Sequence, residues 1–193
     1  MNPVHAIGAG WSRTVRELGW SDFPHLRMLD EEARRTIELA GLVVALRPPG
    51  SFEAMCVVSM REKVLFGIDA PEGGILAGYL AASLTDDWLH VEEVAVGLQR
   101  RRQGLGTALM MHAIEVSRRR RLIGCSLTTD RFLPFNYDFY RTLGFTECTS
   151  PNQPPHLKRR VAFEEGIFEC TGRRVAMVLW NEQRAPAMNE ANG

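Results

Sequence analysis

Val94-Ala95-Val96-Gly97-Leu98-Gln99-Arg100-Arg101-Arg102-Gln103-Gly104-Leu105-Gly106-Thr107 is the stretch on which the fold turns. Val94 to Val96 end a strand, the backbone turns through two glycines, and a helix begins at about Leu105. The first amides of a helix have no acceptor one turn back, and the helix dipole adds partial positive charge there. Gly104 and Gly106 carry no Cβ, so a phosphate can come within hydrogen-bonding distance of those amides. Arg101 and Arg102 supply full positive charges beside them. No Gly-Lys-Ser/Thr follows, which excludes a nucleoside-triphosphate loop. A dinucleotide fingerprint would need a third glycine and a parallel βαβ start.

Upstream of this turn, Val64–Ile68, Ile75–Ser83 and His90–Val96 are short apolar or alternating runs. Glu72-Gly73-Gly74 and Asp86-Asp87-Trp88 separate them as turn material, so the three read as an antiparallel meander. Earlier still, Ser21-Asp22 marks a helix start, with Leu26, Leu29, Ala33, Ile37 and Ala40 recurring every three or four residues. Pro48-Pro49-Gly50 breaks the chain after it.

Downstream, Leu105, Leu109, Ala113 and Val116 line one face of a helix that runs to about Arg120. Leu122–Thr128 reads as a strand and Pro134–Leu143 as a helix stopped at a left-handed Gly144. Phe145–Cys148 and Arg174–Trp180 read as two further strands, with a Pro151–Pro155 loop and a short His156–Glu165 helix between them. Strands in a row followed by strand–helix–strand–helix predict an α/β fold. Its sheet is mixed and largely antiparallel, of about six or seven strands, with helices on both faces.

The chain has 193 residues, 45% hydrophobic and 24% charged, with 23 acidic and 23 basic side chains. That length and balance predict one domain over 1–180 with a polar, flexible tail at 181–193, and no global pull toward a polyanion. Cys56, Cys125, Cys148 and Cys170 lie far apart, match neither a zinc site nor a disulfide framework, and fit a reducing cytosol. The opening residues lack a signal-peptide pattern, and no run of about 18 apolar residues is present. The expected setting is cytoplasmic, with no metal, no membrane and no nucleic-acid partner.

Arg101-x-x-Gly104-x-Gly106 after a Val-Ala-Val strand resembles the acetyl-CoA signature of the GNAT superfamily of N-acetyltransferases. Phe139-Tyr140-Arg141-Thr142-Leu143-Gly144-Phe145, about forty residues on, resembles that family's second signature. The resemblance is best over residues 61–148 and extends to the Arg174–Trp180 strand, while residues 1–60 diverge. It implies an acyltransferase that binds acetyl-CoA through Val94, Val96, Arg101, Arg102, Gln103, Gly104, Leu105, Gly106 and Thr107. Pantetheine would enter a split between Val91–Val96 and Leu122–Thr128. Asn136, four residues before Tyr140, would hydrogen-bond the pantetheine arm; the family often has this Asn three residues earlier, where Leu133 stands.

Acetyl transfer to a lysine-like amine needs a proton acceptor, because such an amine is less than roughly 0.1% neutral at pH 7. Glu92 and Glu93 lie on the strand where the family keeps that carboxylate. If Val94 and Val96 mark the cofactor face, alternation puts Glu92 with them and Glu93 opposite; a bulge reverses this assignment. Backbone amides of the same strand would stabilise the tetrahedral oxyanion. Tyr140 takes the position of the family's tyrosine, which implies that it protonates the leaving thiolate.

Phe135, Phe139 and Leu143 read as a core stripe, His90 and His112 as bonded or half-buried histidines, and Arg118–Arg121 as helix-end cations. Cys125 reads as a small core residue, and Trp11, Trp20 and Trp88 as candidate pocket walls. Asp86, Asp87, Glu92, Glu93, Glu164 and Glu165 give the acceptor side an acidic potential, which suits a cationic small amine; an amino-acid or peptide N-terminus is the other expected acceptor. Two rival readings remain: an acetylating toxin acting on charged tRNA, and an acyl-CoA-binding regulatory module without catalysis. Assembly as a homodimer stays open.

Overall fold

The computed structural model describes residues 13–39, 49–133, 135–149, 153–168 and 172–182. Expectations placed on Trp11, Ala40, Pro48, Pro134, Pro151 and Cys170, and on the tail past residue 182, lie outside these residues. In chain order the elements are β1 (Val15–Glu17), α1 (Phe23–Leu39), α2 (Ser51–Arg61), β2 (Leu65–Asp69), β3 (Leu76–Thr85) and β4 (Trp88–Val96). Then follow α3 (Leu105–Arg119), β5 (Gly124–Asp130), α4 (Tyr137–Thr142), β6 (Thr146–Glu147), α5 (Pro155–Phe168) and β7 (Arg174–Trp180).

The seven strands make one sheet in the order β1-β2-β3-β4-β5-β7-β6. Every neighbouring pair is antiparallel except β4 and β5, which run parallel. The β2–β3–β4 meander is as the sequence predicts. Its second turn is tighter than expected: Asp86 and Asp87 both take positive φ, at 50° and 62°. Two such residues match the right-handed twist of a hairpin. Trp88 therefore belongs to β4, not to the turn, and is only 2% exposed.

One face of the sheet carries α3 and α4. Leu105, Leu109, Met110, Ala113, Ile114, Val116 and Ser117 form the buried stripe of α3, at the three- and four-residue spacing of a helix. They pack on Phe66, Leu80, Leu89, Val91, Cys125, Leu127 and Met177 from five strands. Leu109 is fully buried there, and its truncation to Ala would cost about 2–5 kcal/mol. Burial also pushes the Cys125 thiol up to about 12, which suits an inert core residue.

The other face is covered by α1 and α2 over β2, β3 and the end of β4, and by α5 over β5 and β7. Leu18, Leu26, Phe52, Cys56, Tyr79 and Ala95 form the first layer, and Trp88, Leu157, Ala176 and Val178 the second. Glycine is required at position 124. A Cβ there would lie 2.2 Å from the Leu179 carbonyl oxygen and 3.0 Å from the Trp88 ring.

Two elements, β1 and α2, go beyond what the sequence pattern predicts. In α2 the buried residues are Phe52, Cys56 and Ser59, a weak stripe broken by Val57 on the exposed side. Asn181, at the start of the expected tail, belongs to the fold. It is 7% exposed, and its amide donates to the Ser117 hydroxyl and the Leu122 carbonyl. Phe135, expected in the core, is 46% exposed just before α4, while Phe139 and Leu143 are half-buried.

Candidate active site

The parallel pair β4–β5 holds together over four rungs, from Trp88 with Gly124 to Val91 with Leu127. Beyond Leu127 the two strands pair only with their outer neighbours, β4 with β3 and β5 with β7. The sheet thus opens along Glu92–Val96 on one side and Thr128–Asp130 on the other. The cause lies partly in β4 itself. Ala81 pairs with Glu93 and Ala82 with Val91, so Glu92 is an extra residue in the ladder. Such a bulge bends its strand and adds twist.

The bulge also corrects the alternation argument. Glu92 does not share the face of Val94 and Val96. Its carboxylate accepts from the Ser83 hydroxyl at 2.7 Å and from Arg160 of α5, with both oxygens 2.5 Å from Nη2. Glu93 pairs with Ala81, whose side chain packs under α1 and α2, so Glu93 stands on that same face. Val94 and Val96 pack toward α3, half-buried.

At the far end of β4, Gly97 begins a 3-10 turn over Leu98–Arg100 and Gly104 caps α3 with φ of 78°. A side chain at Gly104 would be strained by that φ, and its Cβ would press within 3.3 Å of the Arg13 guanidinium. Gly104 and Thr107 are exposed, and Gly106 and Gln103 half-buried. Leu105 buries its side chain in the core. By helix geometry the amides of Leu105, Gly106 and Thr107 have no acceptor one turn back, while Ala108 is the first to close on Gly104.

Two residues of this turn stand differently from expectation. Arg101 donates to the Thr36 hydroxyl of α1 at 2.8 Å and to the Val96 carbonyl, so its guanidinium ties α1 to the turn. At Gly106 a Cβ would face Phe139 at 3.4 Å and Val96, so its smallness lets α3 approach α4. Arg102 is exposed, with φ of 62°, and Gln103 folds back onto the Gln99 carbonyl. Arg13, which no sequence signal linked to this turn, is the arginine that stands over Gly104.

Tyr140 lies in α4, buried against Phe139 and Phe145. Burial, with the Glu93 charge adding and Arg174 opposing, pushes its phenol up to about 12. Asn136 precedes α4 instead of lying inside it; its carbonyl accepts from the Tyr140 amide, and its side chain makes no capping bond. On β5 past the last rung, the Thr129 hydroxyl is buried without a hydrogen-bond partner.

The α5 side holds polar residues that sequence reasoning did not connect. Ser126 Oγ lies 3.0 Å from His90 Nδ1 and 3.3 Å from His156 Nε2, and Asp86 Oδ2 lies 3.6 Å from His156 Nδ1. Part of the expected acidic potential is offset there by arginines. Glu92 is matched by Arg160, Asp86 neighbours Arg159, and Glu164 binds Arg174 and Thr128. Glu165 accepts from the Gly172 amide. Burial lowers the pKa of both His90 and His156, with the nearby arginines acting in the same direction. Among the described residues no group of three or more His, Cys, Asp or Glu is placed to hold a metal, and no helix is long and apolar enough to cross a membrane.

Known proteins share this architecture. The ribosomal-protein-S18-alanine N-acetyltransferase of Escherichia coli superposes with a TM-score of 0.60 at 20% identity, over 86% of this chain and 92% of that one. The PaiA N-acetyltransferase of Thermoplasma acidophilum, solved with coenzyme A, gives 0.63 at 13% identity, over 87% and 98%. The N-acetylglutamate synthase of Neisseria gonorrhoeae, solved with coenzyme A and N-acetyl-glutamate, gives 0.62 at 19% identity, over 86% of this chain and 34% of that one. The model of the acetyltransferase (GNAT) family matches residues 15–145. A strand that opens away from its parallel neighbour, ending in a glycine-capped helix, is thus the frame of an enzyme that moves acetyl groups from acetyl-CoA, and the chain belongs to the GNAT family.

Proposed function

We propose that the protein transfers an acetyl group from acetyl-CoA to the primary amine of a small molecule or peptide, the amine attacking the thioester directly. One observation carries this reading: the gap past Val91 and Leu127 has a glycine-capped helix N-terminus at one end and two carboxylates at the other. The residues fit the co-substrate. The amides of Gly104 to Thr107 would receive the pyrophosphate, with Arg102 and Arg13 as nearby cations. Backbone groups of Val94 and Val96 would hold the pantetheine arm, and the buried Thr129 hydroxyl, without a partner, supports a polar ligand in the gap. Asn136 is the remaining candidate for that arm. Acetyl-CoA supplies an activated acyl group and a thiolate that leaves readily.

Glu93, whose charge acts on the Tyr140 phenol, is the proton acceptor for the amine in this reading. Glu92 is held by Arg160 and Ser83, and in this reading it positions α5. Tyr140, with its phenol near 12, stays protonated at any working pH and would give its proton to the departing sulfur. Backbone amides beyond the bulge would face the oxyanion. The test is thiol release from acetyl-CoA across a broad panel of amines, read beside thermal stabilisation. Stabilisation without thiol release on every amine would favour a binding module instead. No stabilisation at all would remove the reading entirely.

A further inference from the structure

On the face opposite α3, a cavity of about 490 Å³ lies between the β3–β4 hairpin and α5, lined by Thr85, His90, His156, Arg159, Arg160 and Phe163. Cavities of this size suit small ligands. It stands beside the gap. His90 is one rung before the last β4–β5 pair, and Arg160, in the cavity wall, holds the carboxylate of Glu92. An acceptor in this cavity would have the bulge of β4, with Glu92 and Glu93, at its inner end.

The chemistry of the wall points to an anionic group on that acceptor. Two arginines and two histidines are among the six lining residues, and no carboxylate-bearing residue is. Arg160 is engaged by Glu92 and has Glu164 at 4.0 Å. Arg159 is less committed, with Asp86 only at 3.9 Å and its side chain 73% exposed. His156 adds an unsatisfied polar atom to this wall. Its side chain is 6% exposed, yet its Nδ1 is buried without a hydrogen-bond partner. Asp86 at 3.6 Å is too far to serve as acceptor.

The Ser126 hydroxyl can link the two rings in either direction, and the Asp86 carboxylate 3.6 Å from His156 Nδ1 favours the one that puts a hydrogen on that nitrogen. His90 Nδ1 then donates to Ser126, whose hydroxyl donates to His156 Nε2, and His156 Nδ1 carries a hydrogen with no acceptor within hydrogen-bonding distance. A buried donor in that state favours an oxygen from a ligand. Phe163, 61% exposed, gives the cavity an apolar side.

We propose that this cavity is the acceptor pocket and that the acceptor is a free amino-carboxylate. Its carboxylate is received by Arg159 and His156 Nδ1, its amine is directed to Glu93, and its apolar substituent rests on Phe163. This rests on the acyl-transfer reading and narrows it, because a peptide N-terminus or a simple polyamine brings no carboxylate next to the amine.

The test is kcat/KM with acetyl-CoA for matched triplets, namely phenylalanine and leucine, their carboxamides and their decarboxylated amines. The acids should exceed both partners by at least ten-fold. Arg159→Ala should bring each acid down to the level of its carboxamide, chiefly through KM, and Arg159→Lys should restore part of the advantage. His156→Gln gives a second probe, and unchanged stabilisation by acetyl-CoA certifies that each variant is folded. Carboxamides or amines turned over as well as the acids, an acid preference untouched by Arg159→Ala, or no turnover of any triplet by a protein that acetyl-CoA stabilises would overturn the pocket assignment. Loss of stabilisation by acetyl-CoA in the parent would instead overturn the underlying reading.

Discussion

On the α3 side of the sheet the contacts are apolar and regular, a stripe of Leu, Met, Ala, Ile and Val from one helix set on five strands. The α5 side is held by a mesh of charges and imidazoles, with Arg160 on Glu92, Arg174 on Glu164, and Ser126 between two histidines. A dry stripe tolerates only volume-conserving change, whereas a polar mesh can be rewired one partner at a time. In the proposed function the two sides divide the work. The α3 side would present its helix end to acetyl-CoA, and the α5 side would hold the groups that choose the acceptor.

The sharpest way to break this division is at its boundary. Glu93→Gln should lower kcat by about 100- to 10,000-fold while acetyl-CoA still stabilises the protein. An equal loss in Glu92→Gln, with Glu93→Gln near normal, would move the base to the other carboxylate. Next, Gly104→Val should abolish the roughly 2.7 kcal/mol of stabilisation expected at about 100 times Kd, read as the thermal shift with acetyl-CoA. A shift as large as the parent's would separate the cofactor from the α3 end.

Tyr140→Phe should cost nearer 100-fold in kcat, because a coenzyme thiol resembles cysteine and leaves tolerably well unaided. Removing one partner of the half-buried pair Arg160–Glu92, as in Arg160→Ala, should cost about 1–3 kcal/mol and loosen α5 with little change in acetyl-CoA binding. The smallest effect concerns acid. His90 and His156 titrate below 6.5 in the folded protein, so the unfolded chain binds more protons as the pH falls. The stability they confer is complete above about 6.5 and declines as pH falls through their lowered values. Melting between pH 7.5 and 5 should show this decline, and His156→Gln should flatten it.

The sequence was readable where one segment decides its own geometry. β7 has the bounds expected for it, α3 ends within one residue of expectation, and Gly144 takes φ of 91° as a helix-stopping glycine should. It was unreadable where the geometry belongs to two segments. The face of Glu92 depends on a bulge that exists only in the pairing of β4 with β3. Arg101 is turned by Thr36, 65 residues away. The link of His90 to His156 passes through Ser126 on a third element, and none of the three lies near another in the chain. β1 is three residues long, too short for any period to register.

The four-rung pairing of β4 with β5 has a consequence for the whole sheet. By parting after Leu127 the two strands give the sheet an inner edge in addition to its two outer ones. Outer edges invite other strands and so threaten aggregation. This inner one lies within a sheet that carries α3 and α4 on one face and α1, α2 and α5 on the other. In the proposed function it would take a slender molecule with amides spaced like a peptide, and the cofactor would be received as a missing strand.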